Sequence, residues 1–547
     1  MTLPDEFKFQ RTDNIGFPAA EDDTQYLEDC FVDTGCLSVL QDLADSRIAI
    51  LGRTGSGKSA IFERMHHDNP DHVIKIDPIG LALTHVTNSE VLRFVAGLNI
   101  NLEPFYKLLW RHVITVEILK AFHDQYKVKE ASLWDWLITR FSGESKTEKE
   151  NAQCVKYLQE WGAKFWNETE YRIKEITEKM SKELSQEISA TIGYDPFTIG
   201  GDQAKLSKLE QEKKTEVSQR ITKIVADAQV KDLSKAIQLL NNILTDRQKV
   251  YYVVIDKLDE EWVDDKARYK LIVALIDTAR EFIKAQNVKV IIALRKDLIE
   301  RMFKFACTKV QTEKLIELCH PLTWEKESII EVLDTRIGKL VRRRYTSQPV
   351  KSADIFPPYI QRRPYDAFIF GIANRPRDVI SFFNKCIVEC SGKSGISKSD
   401  LLKALSEYSK GRLTALRDEW SESYPGLIDF ANALLVGKPP SFKLGLIKYE
   451  DVQGFLLEQA FVDNGDLLSH QCASVENGHM TFDSFLAFVV HVFYSVGLVG
   501  LKTSSNTEPA WLDESGEQVL ISQISDDTSV VIAQKYAFAL GVQQDPL

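Results

Sequence analysis

The chain has 547 residues and a formal net charge of -11, with 79 acidic against 68 basic residues. Apolar residues make up 44% and charged residues 27%, a core-forming composition that excludes collagen-like, mucin-like and wholly disordered chains. So acidic a chain is not a general polyanion binder, and nucleic-acid contact would need a local basic patch.

The chain opens MTLPDEFKFQRTDNIGFP. It shows no basic segment followed by an apolar one, so no signal peptide is expected. Residues 1–46 are polar, with a helical stretch around 25–45. The run RIAIL at 47–51 stops at Gly52, the mark of a buried parallel strand. A helix is expected over 59–67 and a second strand at 72–76 (HVIKI). From 100 to 245 the texture changes to aromatic-rich helices and then a charged segment at 166–229. There, two charged helices flank the break IGYDPFTIGGD, and the apolar stripe of the first is thin: Ile173, Ile176, Met180, Leu184 and Ile188. A coiled-coil seam has that width, which favours a projecting antiparallel hairpin over two helices lying on the core.

Strands are expected next at 249–255 (KVYYVVI), 288–294 (VKVIIAL) and 315–319 (LIELC), with a helix between the first two. From 323 to about 430 the pattern is helical. The most apolar run, FLAFVVHVFYSVGLVGL at 485–501, lacks a basic flank and holds His491 and Ser495, so it reads as a buried helix entering a strand, not a membrane span. VLISQI (519–524) and SVVIAQ (529–534), joined by SDDT, read as a β-hairpin. Helices followed by such a hairpin make a winged-helix shape. The eight cysteines form no CxxC pair and no histidine cluster has zinc spacing, which predicts reduced, mostly buried thiols and a cytoplasmic protein.

Gly52, Arg53, Thr54, Gly55, Ser56, Gly57, Lys58 and Ser59 spell G-x-x-x-x-G-K-[ST] between a strand and a helix, with Ala60 next in that helix. A phosphate chain needs several backbone N–H groups turned into one concavity, and glycines permit so tight a wrap. The following helix offers its positive dipole end. Lys58 supplies a point charge, and the Ser59 hydroxyl is a candidate Mg²⁺ ligand. The bland alternative is a Gly-rich surface turn.

The second half of such a site is an acid at the end of another buried strand. KVYYVVI ends at Asp256, the candidate partner of Ser59 at Mg²⁺. The next position, where many P-loop ATPases place the water-activating acid, holds Lys257, so Asp259 and Glu260 are both candidates for that role. Arg295, just after VKVIIAL, could reach a γ-phosphate, or could close a salt bridge at a strand end. NRPRDVI (374–380) puts Arg375 and Arg377 around Pro376 at the start of a helix. Nucleotide contact from a lid, and helix capping with domain packing, both fit these two.

GRTGSGKS, VVIDKLDEEW, IIALRKDL, LCHPLTWEKESIIEVLDTRI and NRPRDVI, in that order, resemble the bacterial P-loop ATPases akin to STAND and KAP NTPases of the AAA+-like division. The resemblance covers about residues 14–430. It implies ATP as ligand, an α/β fold with a four- or five-stranded parallel P-loop core, a helical lid and a winged helix. The chain divides on that reading into 1–99 (N-terminal segment and first part of the core), 100–245 (helical insertion with the hairpin), 246–322 (second part of the core), 323–435 (lid) and 436–547 (winged-helix-like domain). Lys257 departs from the paired acids of many relatives and points to slow hydrolysis.

Proteins of this kind act as regulators, and several serve in anti-phage defence. An ATP-driven switch or assembly platform is the expectation, working through self-association or a protein effector partner and without a membrane. The alternatives are a non-catalytic ATP-dependent binding module and a DNA-associated regulator. Residues 440–547 hold few lysines or arginines, which disfavours DNA contact by the wing. The strongest basic cluster, KLVRRR at 339–344, reads as a solvated helix face in preference to a nucleic-acid contact.

Overall fold

The computed structural model describes residues 7–81, 83–97, 101–125, 133–142, 155–156, 158–160, 162–164, 169–193, 215–220, 222–223, 240–241, 244, 250–260, 265–285, 287–296, 298–299, 302, 312–421, 423–461, 466–504, 508–512 and 519–542. The chain divides into two compact units, Asp33–Thr323 and Met1–Val32 with Trp324–Leu547. The first 32 residues thus group with the later helices, not with the first part of the sheet domain.

Unit Asp33–Thr323 is built on a five-stranded sheet of β1 (Ala49–Leu51), β2 (Val73–Ile76), β3 (Tyr251–Ile255), β4 (Val288–Leu294) and β5 (Cys319–Pro321). All neighbours are parallel, in the order β2-β3-β4-β1-β5. All seven residues of β4 are buried, because in a parallel sheet helices cover both faces. Even Lys289 is buried there, its ammonium donating to the carbonyls of Val39 (3.1 Å) and Asp42 (2.5 Å).

The strand expected at 315–319 is displaced. Thr312–Glu317 is helical, with Leu315 buried and Ile316 53% exposed, and the edge strand begins only at Cys319, opposite Ala49. The one-sided burial of adjacent apolar residues is helical, and the short run could not show it.

The helices Glu103–Gln125 and Asp265–Phe282 pack against each other. The Trp110 indole donates to the Leu271 carbonyl at 2.9 Å, and the buried Arg111 pairs with Glu281. Helix Thr169–Ile192, the first arm of the expected hairpin, does not project. Ile173, Ile176, Met180, Leu184 and Ile188 are buried in the same apolar core as the sheet, against helices Thr84–Thr87, Glu90–Gly97 and Glu103–Gln125. A thin stripe suits a coiled-coil seam and a single-sided core contact equally, and here it makes the second. Most of the other arm lies outside the described residues; where described, Val217 enters that core and Arg220 meets Glu187 at 3.3 Å.

In the other unit, Phe7, Phe9 and Ile15 share a core with helices Lys326–Arg344, Pro376–Glu389 and Lys398–Trp420. Arg336 fastens the N-terminal segment, donating to Asp23 at 2.6 Å and to the Ile15 carbonyl at 2.9 Å. A short hairpin joins β6 (Tyr359–Ile360) and β7 (Arg363–Pro364).

Further on, β8 (Ser441–Lys443), β9 (Val499–Lys502) and β10 (Ser529–Ile532) form an antiparallel sheet in the order β8-β10-β9. The hairpin expected between 519–524 and 529–534 is not formed. Ile521–Gln523 is a single 3-10 turn with Leu520 57% exposed, and β10 pairs with β9 and β8 instead. The strand that takes its place as partner is the one expected at the tail of the apolar run at 485–501. That run is a buried helix, Phe482–Ser495, entering β9 as expected.

Among the described residues, no helix is long and apolar enough to cross a membrane. Cys30, Cys36, Cys319, Cys386, Cys390 and Cys472 are free and buried, while Cys154 and Cys307 lie outside the described residues.

Candidate functional site

In a parallel sheet every strand ends on the same edge, and Gly52, Asp77, Asp256 and Arg295 each follow the last residue of a strand. The 52–59 loop leaves β1 with the Gly52 N–H donating to the Leu294 carbonyl of β4 at 3.1 Å. A Cβ on Gly52 would collide with the Ser56 hydroxyl, and Gly55 and Gly57 adopt φ of +77° and +100°. These are the positions at which the wrap requires glycine. Gly57 precedes helix Lys58–Asp68, whose first turn has no side-chain cap. That leaves a helix amino end, with its partial positive charge, next to the loop. Lys58 folds back over the loop, its ammonium 3.0 Å from the carbonyls of both Gly52 and Arg53. Arg53 and Thr54, half-buried, and the buried Ser56 complete the turn, and Ala60 continues the helix.

Ser59 stands close enough to Asp256 for its hydroxyl to lower the pKa of that carboxyl. Loop and second strand thus meet through the two oxygen donors that the sequence selects for Mg²⁺. Burial raises the Asp256 pKa above the ordinary carboxylate value, against the lowering effect of Ser59, the Lys257 N–H and the Lys58 charge. A desolvated carboxylate beside a hydroxyl and an ammonium fits a hard divalent cation, whose charge would offset the desolvation.

Lys257 stands in the left-handed region, with φ of +59° and its N–H 2.9 Å from Asp256 Oδ1. The chain turns sharply there, which returns Asp259 and Glu260 towards the strand ends. Asp259 forms an ion pair with Arg295 at 2.9 Å. Arg295 is thereby brought into the site, although its partner is an acid. The Glu260 pKa is raised by burial first, then by the charges of Asp259, Asp77 and Asp256, with Lys257 opposing.

Asp77 escaped the sequence reading. It follows β2 as Asp256 follows β3, and Ile76 is registered against Ile255, so the two acids end neighbouring strands. The signal was in the sequence, as HVIKI runs into Asp77, the same strand-then-acid pattern that marked Asp256.

Arg375 and Arg377 belong to the other unit. Arg375 is buried, its Nε donating to Asp378 at 2.8 Å, and Arg412 stands 2.9 Å from the same carboxylate. Arg375 precedes Pro376 and pairs with Asp378 in the first turn of that helix, and Asp378 in turn meets Arg412 of helix Lys398–Trp420. Arg377 donates to the Pro18 carbonyl at 3.3 Å. Burial pushes the Asp378 pKa up, but Arg375 and Arg412 more than reverse this and hold it below the ordinary value.

Residues 327–417 match the family model of the FunZ-associated C-terminal helical domain. Across 93% of its length the chain is 22% identical to the "Putative transposon gamma-delta 80.3 kDa protein" of Escherichia coli (strain K12), and it spans 66% of that relative. No solved structure matches.

Proposed function

We propose that the chain binds ATP·Mg²⁺ at the strand ends of unit Asp33–Thr323 and hydrolyses it slowly. The observation that carries this reading is the meeting of Ser59 with Asp256, contributed by two strands that have β4 between them. The strand order supports it: β1, which leads into the loop, lies inside an all-parallel sheet and not at its edge. Open parallel sheets take ligands beyond their carboxyl ends. The STAND/KAP-like motifs point the same way, as does the antiparallel sheet at the C-terminal end, whose helix–strand–helices–strand–strand order is winged-helix-like.

In this reading the loop N–H groups and Lys58 hold the phosphates, while Ser59 and Asp256 hold Mg²⁺, which would neutralise charge on the phosphate oxygens. Glu260 orients the attacking water, because Asp259 is already engaged by Arg295 and the raised Glu260 pKa suits a proton acceptor. Arg295 exchanges Asp259 for the terminal phosphate and so reports its presence. A conformational switch or assembly platform is the corresponding role. A setting in a mobile element, or in defence against one, accommodates both the relative's name and the family resemblance.

Phosphate release is the test. Wild-type chain is expected to turn over slowly, Glu260→Gln to lose about a hundredfold or more, and Asp259→Asn to lose far less while still binding nucleotide. Full turnover by Glu260→Gln would move the catalytic role elsewhere, with Asp77 as the next acid to replace.

A further inference from the structure

We propose that the β6–β7 hairpin and the carboxyl end of helix Lys326–Arg344 form a surface that grips the phosphodiester backbone of nucleic acid. Residues 339–363 carry seven basic side chains and one acid, in a chain whose net charge is -11. Two of the seven serve the fold, since Lys339 pairs with Asp29 at 2.7 Å and Arg344 with Asp13. Arg342, Lys351, Arg362 and Arg363 are exposed and form no ion pair among the described residues.

Arg342, Lys351 and Tyr359 line one groove of about 1550 Å³ together with Pro364 of β7, while Gln361 and Arg363 of the same hairpin line a neighbouring one. Five acids also face the first groove: Asp29 pairs with Lys339, Asp366 with Lys326 at 2.8 Å, Glu327 lies 3.6 Å from Lys326, Asp334 accepts from the backbone N–H and hydroxyl of Ser352, and Glu331 is the fifth.

Helix stability explains only part of this charge. Arginines in a last helical turn favour the helix dipole, which accounts for 342–344 but not for the hairpin. The hairpin tip is the odder feature. Gln361 and Arg362 both adopt left-handed backbone, with φ of +51° and +60°. Two-residue turns of this kind are made by Asn or Gly without that cost. Gln361 is explained by its hydrogen bond to Gln534 at 3.1 Å. Among the described residues nothing engages the exposed Arg362 side chain, which leaves its charge as a reason for it. Tyr359, 64% exposed at the base of the hairpin, adds an aromatic face on which an unpaired base could stack. Charge and ring together fit single-stranded nucleic acid better than duplex.

The test is fluorescence anisotropy of the full chain with labelled single-stranded DNA, duplex DNA and single-stranded RNA of one sequence, at several salt concentrations. Wild-type chain is expected to bind, with affinity falling steeply as salt rises. Arg342→Ala/Arg362→Ala/Arg363→Ala should weaken binding at least about tenfold and flatten the log–log salt slope by about two to three. The triple lysine variant should retain most of the binding, and all variants should melt with wild type because these positions are exposed. Tyr359→Ala should weaken single strands more than duplex. Absence of binding by wild-type chain at low salt, or an unchanged salt slope in the triple alanine variant, overturns the proposal. Nucleotide titration of the same variants keeps this outcome separate from failure of the ATP reading.

Discussion

In the proposed phosphate site, Lys58 is held by the loop itself. Its ammonium lies 3.0 Å from two loop carbonyls, which keep it over the concavity. Replacing it by alanine removes a charge-assisted contact worth about 1.5–3 kcal/mol, or roughly ten- to hundredfold in affinity. Asp256 makes the opposite trade. Its folded-state pKa is raised, so the folded chain binds more protons than the unfolded one between the ordinary carboxylate value and that raised value. Stability of the nucleotide-free chain therefore falls as pH rises through that window, and the loss persists at neutral pH. Asp256→Asn removes it, and should raise the melting temperature of the nucleotide-free chain at pH 7 by a few degrees, at about 2–4 °C per kcal/mol. It should also abolish Mg²⁺-dependent binding. A scan in which the variant melts below wild type would contradict this.

Asp378 carries the reverse sign. Its depressed pKa contributes stability above the ordinary carboxylate value, lost as pH falls through the folded value. Asp378→Ala leaves the charges of Arg375 and Arg412 uncompensated, and should cost about 3–5 kcal/mol in denaturant unfolding at pH 7. The loop and Asp256 were legible because strand, glycines and acid obey local rules. The second partner of Asp378 was not, because Arg412 lies 34 residues away on another helix.

Helix Thr169–Ile192 shows where periodicity stops informing. Five apolar residues on one stripe announced a contact but not its partner, and the partner is the sheet domain's own core. Leu184 is fully buried there, so Leu184→Ala should cost about 2–5 kcal/mol. Urea unfolding followed by tryptophan fluorescence would register this as a lower midpoint. A midpoint equal to wild type would restore the projecting-hairpin reading. The C-terminal hairpin failed for a related reason. Two β-like runs joined by a turn pair only if no better partner exists, and β9 already offered a buried apolar edge to β10. Non-local competition of that kind leaves no trace in either run.

At the scale of the whole chain, the strand order is what the sequence could not supply. Five apolar runs can be arranged in many parallel orders, and only the one in which β4 separates β1 from β3 was found. In that order Gly52 and Arg295 lie beside each other, because the loop's first N–H is held by the last carbonyl of β4. The grouping of residues 1–32 with the helical unit is a second long-range fact, resting on Arg336 and Asp23 some three hundred residues apart. Every element of the proposed function depends on nucleotide entering at those strand ends. Isothermal titration of the full chain with ATP in Mg²⁺, repeated for Lys58→Ala, tests that claim most directly. The account predicts saturable one-to-one binding by wild-type chain, weakened roughly ten- to hundredfold in the variant. No binding by wild-type chain, or equal affinity in Lys58→Ala, would contradict it.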